Sequence, residues 1–300
     1  MALEVSRSDL PSLYRAASDA SRRGQRTHLR MTKLRLSLVI LAALSGTLST
    51  ANPLPLGFRR ICAALSIASF SGALLVEVLL LRERPDRSWY GGRALAESIK
   101  TLSWKFAVCS TPFPSEMAAG EAERLFREKV RELIALHSVR LNPDADSQVT
   151  EKMTSLRASG LSERMASYAQ YRIHVQYEWY SDNASSAELS SVRWKTCLLL
   201  FEVLGLIGAL LVLLDYSSLD FGGVMAALTV TGVAWLEVRQ FDSLAEAYAL
   251  ASTELSLIRD SISEVSTEES WSAYVYSAEQ GISREHTMWV ARRSHARNIL

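Results

Sequence analysis

Two carboxylates stand where carboxylates are costly. Glu77 lies four residues before the end of an apolar run at 61–81, and Glu202 lies five residues after the start of another at 197–214. At about 1.5 Å of rise per residue, each sits roughly one to one and a half helical turns inside its run. A charge at that depth in a bilayer faces protein or water rather than lipid. Ser69, Ala73 and Glu77 share one helix face, as do Glu202, Gly205 and Ala209. Small residues on one stripe let membrane helices approach closely. Glu77, Glu202, Ser69 and Gly205 are therefore candidates for an ion path or gate. The competing reading pairs the carboxylates with Arg35, Arg193 or Lys195, or lets them snorkel to the interface.

The basic residues form two clusters. Arg22, Arg23, Arg26, His28 and Arg30 make one, and Arg82, Arg84, Arg87 and Arg93 make another beside Trp89 and Tyr90. Guanidinium groups bind phosphate, and aromatic rings give bases a surface to stack on. Arg22, Arg23, Arg26, Arg84, Arg87, Trp89, Tyr90 and Arg93 are the ligand-binding candidates. Membrane anchoring by positive flanks and an aromatic belt is the competing reading. On a helix, Trp89, Arg93, Glu97, Lys100 and Trp104 follow steps of four, four, three and four, and so share a face. Arg93, Glu97, Lys100 and Trp104 read as an interhelix polar lock. A ligand site would use the same residue types, but a carboxylate in the middle of the stripe repels phosphate unless it is paired.

Signs of catalysis or of a metal site are missing. There is no phosphate-cradling Gly-rich loop, nucleophile elbow or CxxC, and the five His are dispersed. The three cysteines, Cys62, Cys109 and Cys197, have no paired spacing, which points to a reducing compartment. No catalytic residue, metal ligand or bound cofactor is assigned.

The elements that position these groups follow from where the apolar residues lie. The chain has 300 residues, 33 basic against 32 acidic, a net charge of +1 and 48% hydrophobic residues, averages that would suit a soluble enzyme. The apolar residues are instead gathered at 36–51, 61–81, 197–214 and 221–236. Each run is near the length of a membrane span, about 20 residues. Only 52–60 separate the first two runs and only 215–220 the last two, so the chain makes two tight helical hairpins. Arg22, Arg23, Arg26, Arg30, Lys33, Arg35, Arg82, Arg84 and Arg87 flank the first, and Arg193, Lys195 and Arg239 the second. The hairpin loops carry only Arg59 and Arg60 in one case and acidic residues in the other. By the positive-inside rule both hairpins have their ends in the cytoplasm, so the protein is expected to be multi-pass with both termini cytoplasmic.

Outside the runs nothing alternates as a strand does, so the fold class is all-α. After Pro112 and Pro114 an amphipathic helix is expected over 116–137, with Leu125, Val130, Leu133, Ile134 and Leu136 on its apolar side. A polar loop follows at 142–147. A second long helix should begin near Ser162 and run into the third span, interrupted at 181–183. The segment 237–263 holds no Gly or Pro and is expected to extend the fourth span directly. A last helix near 268–280 and a basic tail from Arg284 close the chain. Matches at constant offset, among them Arg87 and Trp89 with Arg239 and Phe241, suggest duplication.

The stretch 84–113 (RPDRSWYGGRALAESIKTLSWKFAVCSTPF) is more specific than composition explains. Through Trp89, Tyr90, Arg93, Ala96, Glu97, Ser98, Lys100, Thr101, Trp104, Pro112 and Phe113, and through Trp179 and Tyr180 in QYEWYSDNA at 176–184, the chain resembles the SLATT family of bacterial two-helix membrane proteins, in its tandem form. The resemblance covers roughly 10–280. It implies a first unit at 1–113, a linker helix at 114–160 and a second unit at 161–300. It further implies an inner-membrane effector of anti-phage defence, similar to the effector of Hailong-type systems. Such a protein is controlled by a nucleotide second messenger or oligonucleotide from a cognate nucleotidyltransferase, and acts by depolarising the membrane in abortive infection. Four spans are too few to enclose a wide channel, so a pore requires self-association into a symmetric ring, a homo-tetramer by expectation. A nonconducting membrane scaffold that recruits cytoplasmic partners is the alternative.

Overall fold

The computed structural model describes residues 3–52, 54–137, 139–141, 147–216 and 219–295, without the side chains of 283–295. Nearly all of the polar loop expected at 142–147 and the side chains of the basic tail lie outside the described residues. The described chain is all-α: α1 (Ser12–Thr50), α2 (Leu56–Glu83), α3 (Pro85–Ala107), α4 (Ala119–Leu136), α5 (Glu151–Ala158), α6 (Leu161–Tyr168), a π-helical turn (Ala169–His174), α7 (Val175–Leu213), α8 (Phe221–Arg239), α9 (Phe241–Ser261) and α10 (Glu268–His295). Four helical stretches, 12–50, 56–107, 161–213 and 221–264, are long and apolar enough to cross a membrane.

Contacts divide the chain into two compact units, one made of 1–25, 86–184 and 246–300, the other of 26–85 and 185–245. The first has a solvent-excluding core. Trp271, Tyr168, Phe106, Phe113, Phe126, Leu95 and Ile99 are all fully buried. Trp271 meets Tyr168 edge-on at 5.5 Å, and its Nε1 donates to the Val108 carbonyl at 2.8 Å. The one polar atom of the indole is thus satisfied, as a buried Trp requires. After α3 the chain turns through Cys109, at a left-handed φ of 59°. Arg157 holds this turn by donating to the carbonyls of Phe106, Phe113, Pro114 and Met117 at 2.8–3.2 Å.

Beneath this core lies a buried ion pair. Arg172, carried by the π turn, donates from Nε and Nη2 to Glu279 of α10 at 2.8 and 2.6 Å. Tyr168 and Thr101 add hydroxyl donors at 3.1 and 2.7 Å. Burial opposes the charge on Arg172, but the Glu279 carboxylate overrides it and raises the pKa, as an opposite charge at close range does. Burial together with that carboxylate also pushes the Tyr168 phenol well up. Arg164, nearly fully buried, pairs with Glu268 at the start of α10.

The second unit is the reverse, with its large apolar side chains outward. Leu74 is 66% exposed, Leu206 73% and Leu213 78%. Lipid takes the place of a core around such side chains, while the backbone is satisfied within each helix. Its helices touch through small residues. Ser66 donates to the Ala42 carbonyl at 2.9 Å between α1 and α2. Between α7 and α8, a Cβ added at Gly208 would lie 2.8 Å from that of Phe221. Asp220 accepts from the Gly223 amide at 2.8 Å, an N-terminal cap for α8.

Several details differ from the sequence expectation. No interruption occurs at 181–183, where Asn183 donates its side-chain amide to the Trp179 carbonyl at 2.7 Å. A side chain bonded back to its own helix in this way need not break it. The irregularity is the π turn at Ala169–His174 instead. The fourth span is not continued directly into the next helix. Gln240 adopts φ 50° and its amide closes onto the Leu236 carbonyl at 2.7 Å. α9 then starts anew with the buried Phe241. Arg84 ends α2 in the same way, at φ 44° with its amide on the Leu80 carbonyl. The two inner joints therefore equate Arg84 with Gln240, not Arg87 with Arg239. The buried stripe of α4 is Ala122, Phe126 and Val130, and Leu136 is 77% exposed. α4 starts at Ala119 rather than Glu116, α5 is an additional helix, and α10 continues past 280.

Candidate functional site

The α3 stripe opens onto a polar cavity of about 320 Å3 within the first unit. Residues of α1 (Tyr14, Ser18, Ser21, Arg22, Gln25), of α3 (Trp89, Arg93, Ala96, Glu97, Lys100) and of α7 (Val175, Gln176, Trp179) form its walls. α1 and α3 come this close because Gly92 has no side chain: a Cβ there would meet the Ser21 amide nitrogen at 2.8 Å and the Ala17 carbonyl at 2.9 Å. The seam is closed by the Ser21 hydroxyl, which donates to the Trp89 carbonyl at 2.8 Å. Below it Ala17, Leu95, Ala96 and Ile99 form a buried apolar floor.

Within the cavity the Lys100 ammonium donates to Gln176 Oε1 at 3.2 Å. The Arg93 guanidinium lies 5.7 Å from the centre of the Trp179 ring, within cation–π range. Three cations, Arg22, Arg93 and Lys100, face one carboxylate, Glu97. Burial pushes the Lys100 ammonium down despite the opposing pull of Glu97, and burial followed by Glu97 pushes the Tyr14 phenol up. An anion entering the cavity would favour the charged form of Lys100. Trp179 is 38% exposed and in edge contact with Tyr248 at 5.2 Å, which steadies a ring that still has an open face.

The structure gathers the sequence candidates unevenly. Arg22, Trp89 and Arg93 from the ligand set and Arg93, Glu97 and Lys100 from the lock set line the same cavity. Tyr90 stacks on Trp89 at 4.8 Å. Trp104 is buried in the core, 5.7 Å from Tyr168, and is not part of the cavity wall. Arg23 and Arg87 are exposed outside it, and Arg26 and Arg84 belong to the second unit. Tyr14, Ser18, Ser21 and Gln25 were not among the candidates, although their steps of four, three and four put them on one face of α1. The Arg172–Glu279 centre had no local signature because its partners are 107 residues apart.

In the second unit the two membrane carboxylates part company. Glu77 forms an ion pair with Arg35 of the neighbouring helix α1. Glu202 is exposed and makes no hydrogen bond or ion pair among the described residues. Ser69 is buried, and Gly205 sits in the α7–α8 seam, where an added Cβ would lie 3.1 Å from the Met225 Cβ.

Comparison with known proteins gives the family. Residues 11–165 match SMODS and SLOG-associating 2TM effector domain 3, and residues 168–289 match SMODS and SLOG-associating 2TM effector domain 1. No curated protein and no solved structure matches. SLATT effector domains are associated with nucleotide-signalled defence systems. With two domains of a two-span type side by side and four helical stretches of membrane length, the chain belongs to the SLATT family as a tandem, multi-pass member.

Proposed function

We propose that this protein is an oligomeric, ligand-gated, pore-forming effector of bacterial anti-phage defence that works without catalysis. It sits in the inner membrane with both termini in the cytoplasm, and its ligand is a nucleotide second messenger or oligonucleotide made by a cognate nucleotidyltransferase. The observation that carries this reading is the cavity, in which three cations and an open aromatic face converge. Phosphates are held by Arg22, Arg93 and Lys100. A base stacks on Trp179, as bases do on exposed aromatic side chains. Trp179 is the more exposed of the two cavity indoles, since Trp89 is only 6% exposed. Glu97 keeps the guanidinium and ammonium groups apart when the ligand is absent, so lock and ligand site are two states of one cluster. α1 and α7 each carry cavity residues and a membrane-length apolar segment on one unbroken helix, which gives the ligand a route to the pore.

The pore forms by self-association, as a homo-tetramer, with Glu202 toward the ion path and Glu77 withdrawn by Arg35. Opening depolarises the membrane and ends the infection with the cell. The test is ion flux from liposomes holding the purified full chain, with and without oligonucleotides. Wild type leaks in one ligand state only, and Arg22→Glu shifts the dose response at least tenfold. Vesicles that stay tight in every ligand state would instead favour a nonconducting scaffold that recruits partners.

A further inference from the structure

The second unit holds a hollow that the gating reading does not use. A groove of about 560 Å3 lies among α1, α7 and α8 at the basic end of the hairpins. Its size falls within the roughly 300–1,000 Å3 of clefts that hold small molecules. Its wall changes character in the same order along all three helices. On α1, Lys33 is followed inward by Leu36 and Ile40. On α8, read backward from its end, Arg239 and Trp235 give way to Leu228. On α7, Trp194 gives way to Phe201. Charge at the surface, indole at the interface and hydrocarbon below is the polarity of one leaflet of a bilayer.

The charges at its mouth are positive. The Lys33 Nζ lies 5.3 Å from the centre of the Trp235 ring and the Arg239 guanidinium 5.8 Å from the same ring, so one indole orders both cations. No Asp or Glu lines the groove among the described residues. The neighbouring Asp242 is engaged by Lys195 at 2.8 Å and by Ser191. Basic pockets between membrane helices on the cytoplasmic side are a known design for acidic headgroups.

We infer that this groove binds one anionic glycerophospholipid per chain, with the phosphate between Lys33 and Arg239, the glycerol level at Trp194 and Trp235, and an acyl chain against Leu36, Ile40 and Phe201. The site is separate from the ligand cavity and does not depend on how that cavity is used.

The test counts lipids retained by the full chain in native mass spectrometry after exchange into mixed micelles with equal phosphatidylglycerol and phosphatidylcholine. Wild type should retain phosphatidylglycerol in preference. Lys33→Gln should lower its occupancy about fivefold, the effect of one surface cation near acidic lipid. Ser37→Phe fills the groove from its α1 wall while leaving both cations in place, and should abolish retention. Both variants should unfold with wild-type midpoints in lipid-free micelles, so a folding defect is told apart from a lost site. Equal retention of the two lipids by wild type, or unchanged phosphatidylglycerol on Lys33→Gln or Ser37→Phe, would overturn the inference. So would displacement of the lipid by millimolar glycerol phosphate, which would leave no role for the acyl chain, or a groove occupied by a second copy of the chain with no lipid retained.

Discussion

Glu279 and Glu202 are opposite solutions to one difficulty, a carboxylate placed away from bulk water. Glu279, at 0% exposure, accepts from Arg172 twice, from Tyr168 and from Thr101. Glu202, on a helix that displays leucines to lipid, has no donor within its own chain among the described residues. Glu77 lies between them, paired once and about a third exposed. A complete donor set offsets the desolvation of a charge, and a missing one sends the charge in search of water or of another molecule. In the first unit the charges are finished inside the fold, whereas in the second one of them is left for the assembly.

The contrast is broken or sharpened most strongly at Glu279. Glu279→Gln leaves Arg172 buried against an uncharged partner and should cost about 3 to 5 kcal/mol, read as a lower denaturation midpoint. Replacing both members by Met should recover much of the loss, and a Glu279→Gln protein as stable as wild type would show that the pair holds nothing together. Next comes the cavity, where Lys100→Gln removes a charge-assisted donor. It should weaken nucleotide binding by about 1.5 to 3 kcal/mol in a titration and leave the midpoint nearly unchanged. Loss of stability with no change in binding would mark the cluster as a lock alone.

In the membrane unit the expected effects are smaller and of two kinds. Glu77→Gln should cost at most about 1 kcal/mol, because the pair with Arg35 is partly exposed. Glu202→Gln should leave stability alone and alter cation selectivity in reconstituted vesicles. If Glu202→Gln destabilises the isolated chain as much as Glu77→Gln does, the two carboxylates are not different in kind. The smallest effect is a pH slope. Burial pushes the Tyr274 phenol up to about 12. The folded state therefore keeps its proton while the unfolded chain loses it, and stability falls as the pH rises from about 10 to 12. Tyr274→Phe should flatten that slope in a pH-dependent unfolding series.

What could be read from sequence follows from the range of each signal. The four spans declare themselves because each is a run of neighbours, and the α3 stripe because one helix carries it at regular steps. The joint at Gln240 did not, since a left-handed residue there needs neither Gly nor Pro when the Leu236 carbonyl and buried Phe241 hold it. Half of the cavity was legible: Arg93, Glu97 and Lys100 stand on one helix. The α1 face of Tyr14, Ser18, Ser21 and Gln25 carries no charge of its own and acquires meaning only opposite α3. Glu279 looked like any polar residue of a surface helix, because its partners Thr101, Tyr168 and Arg172 come from distant parts of the chain.

The π turn at Ala169–His174 can be thought of as a spare residue lodged in an otherwise regular helix. Removing one residue there would let the turn relax to α geometry and rotate everything after it by about 100° relative to everything before it. Gln176 and Trp179 would swing off the cavity while Tyr168 stayed in the core. A single-codon deletion could thus disconnect ligand recognition from the rest of the molecule without touching a residue of either, which makes the length of this turn as much a part of the site as any side chain in it.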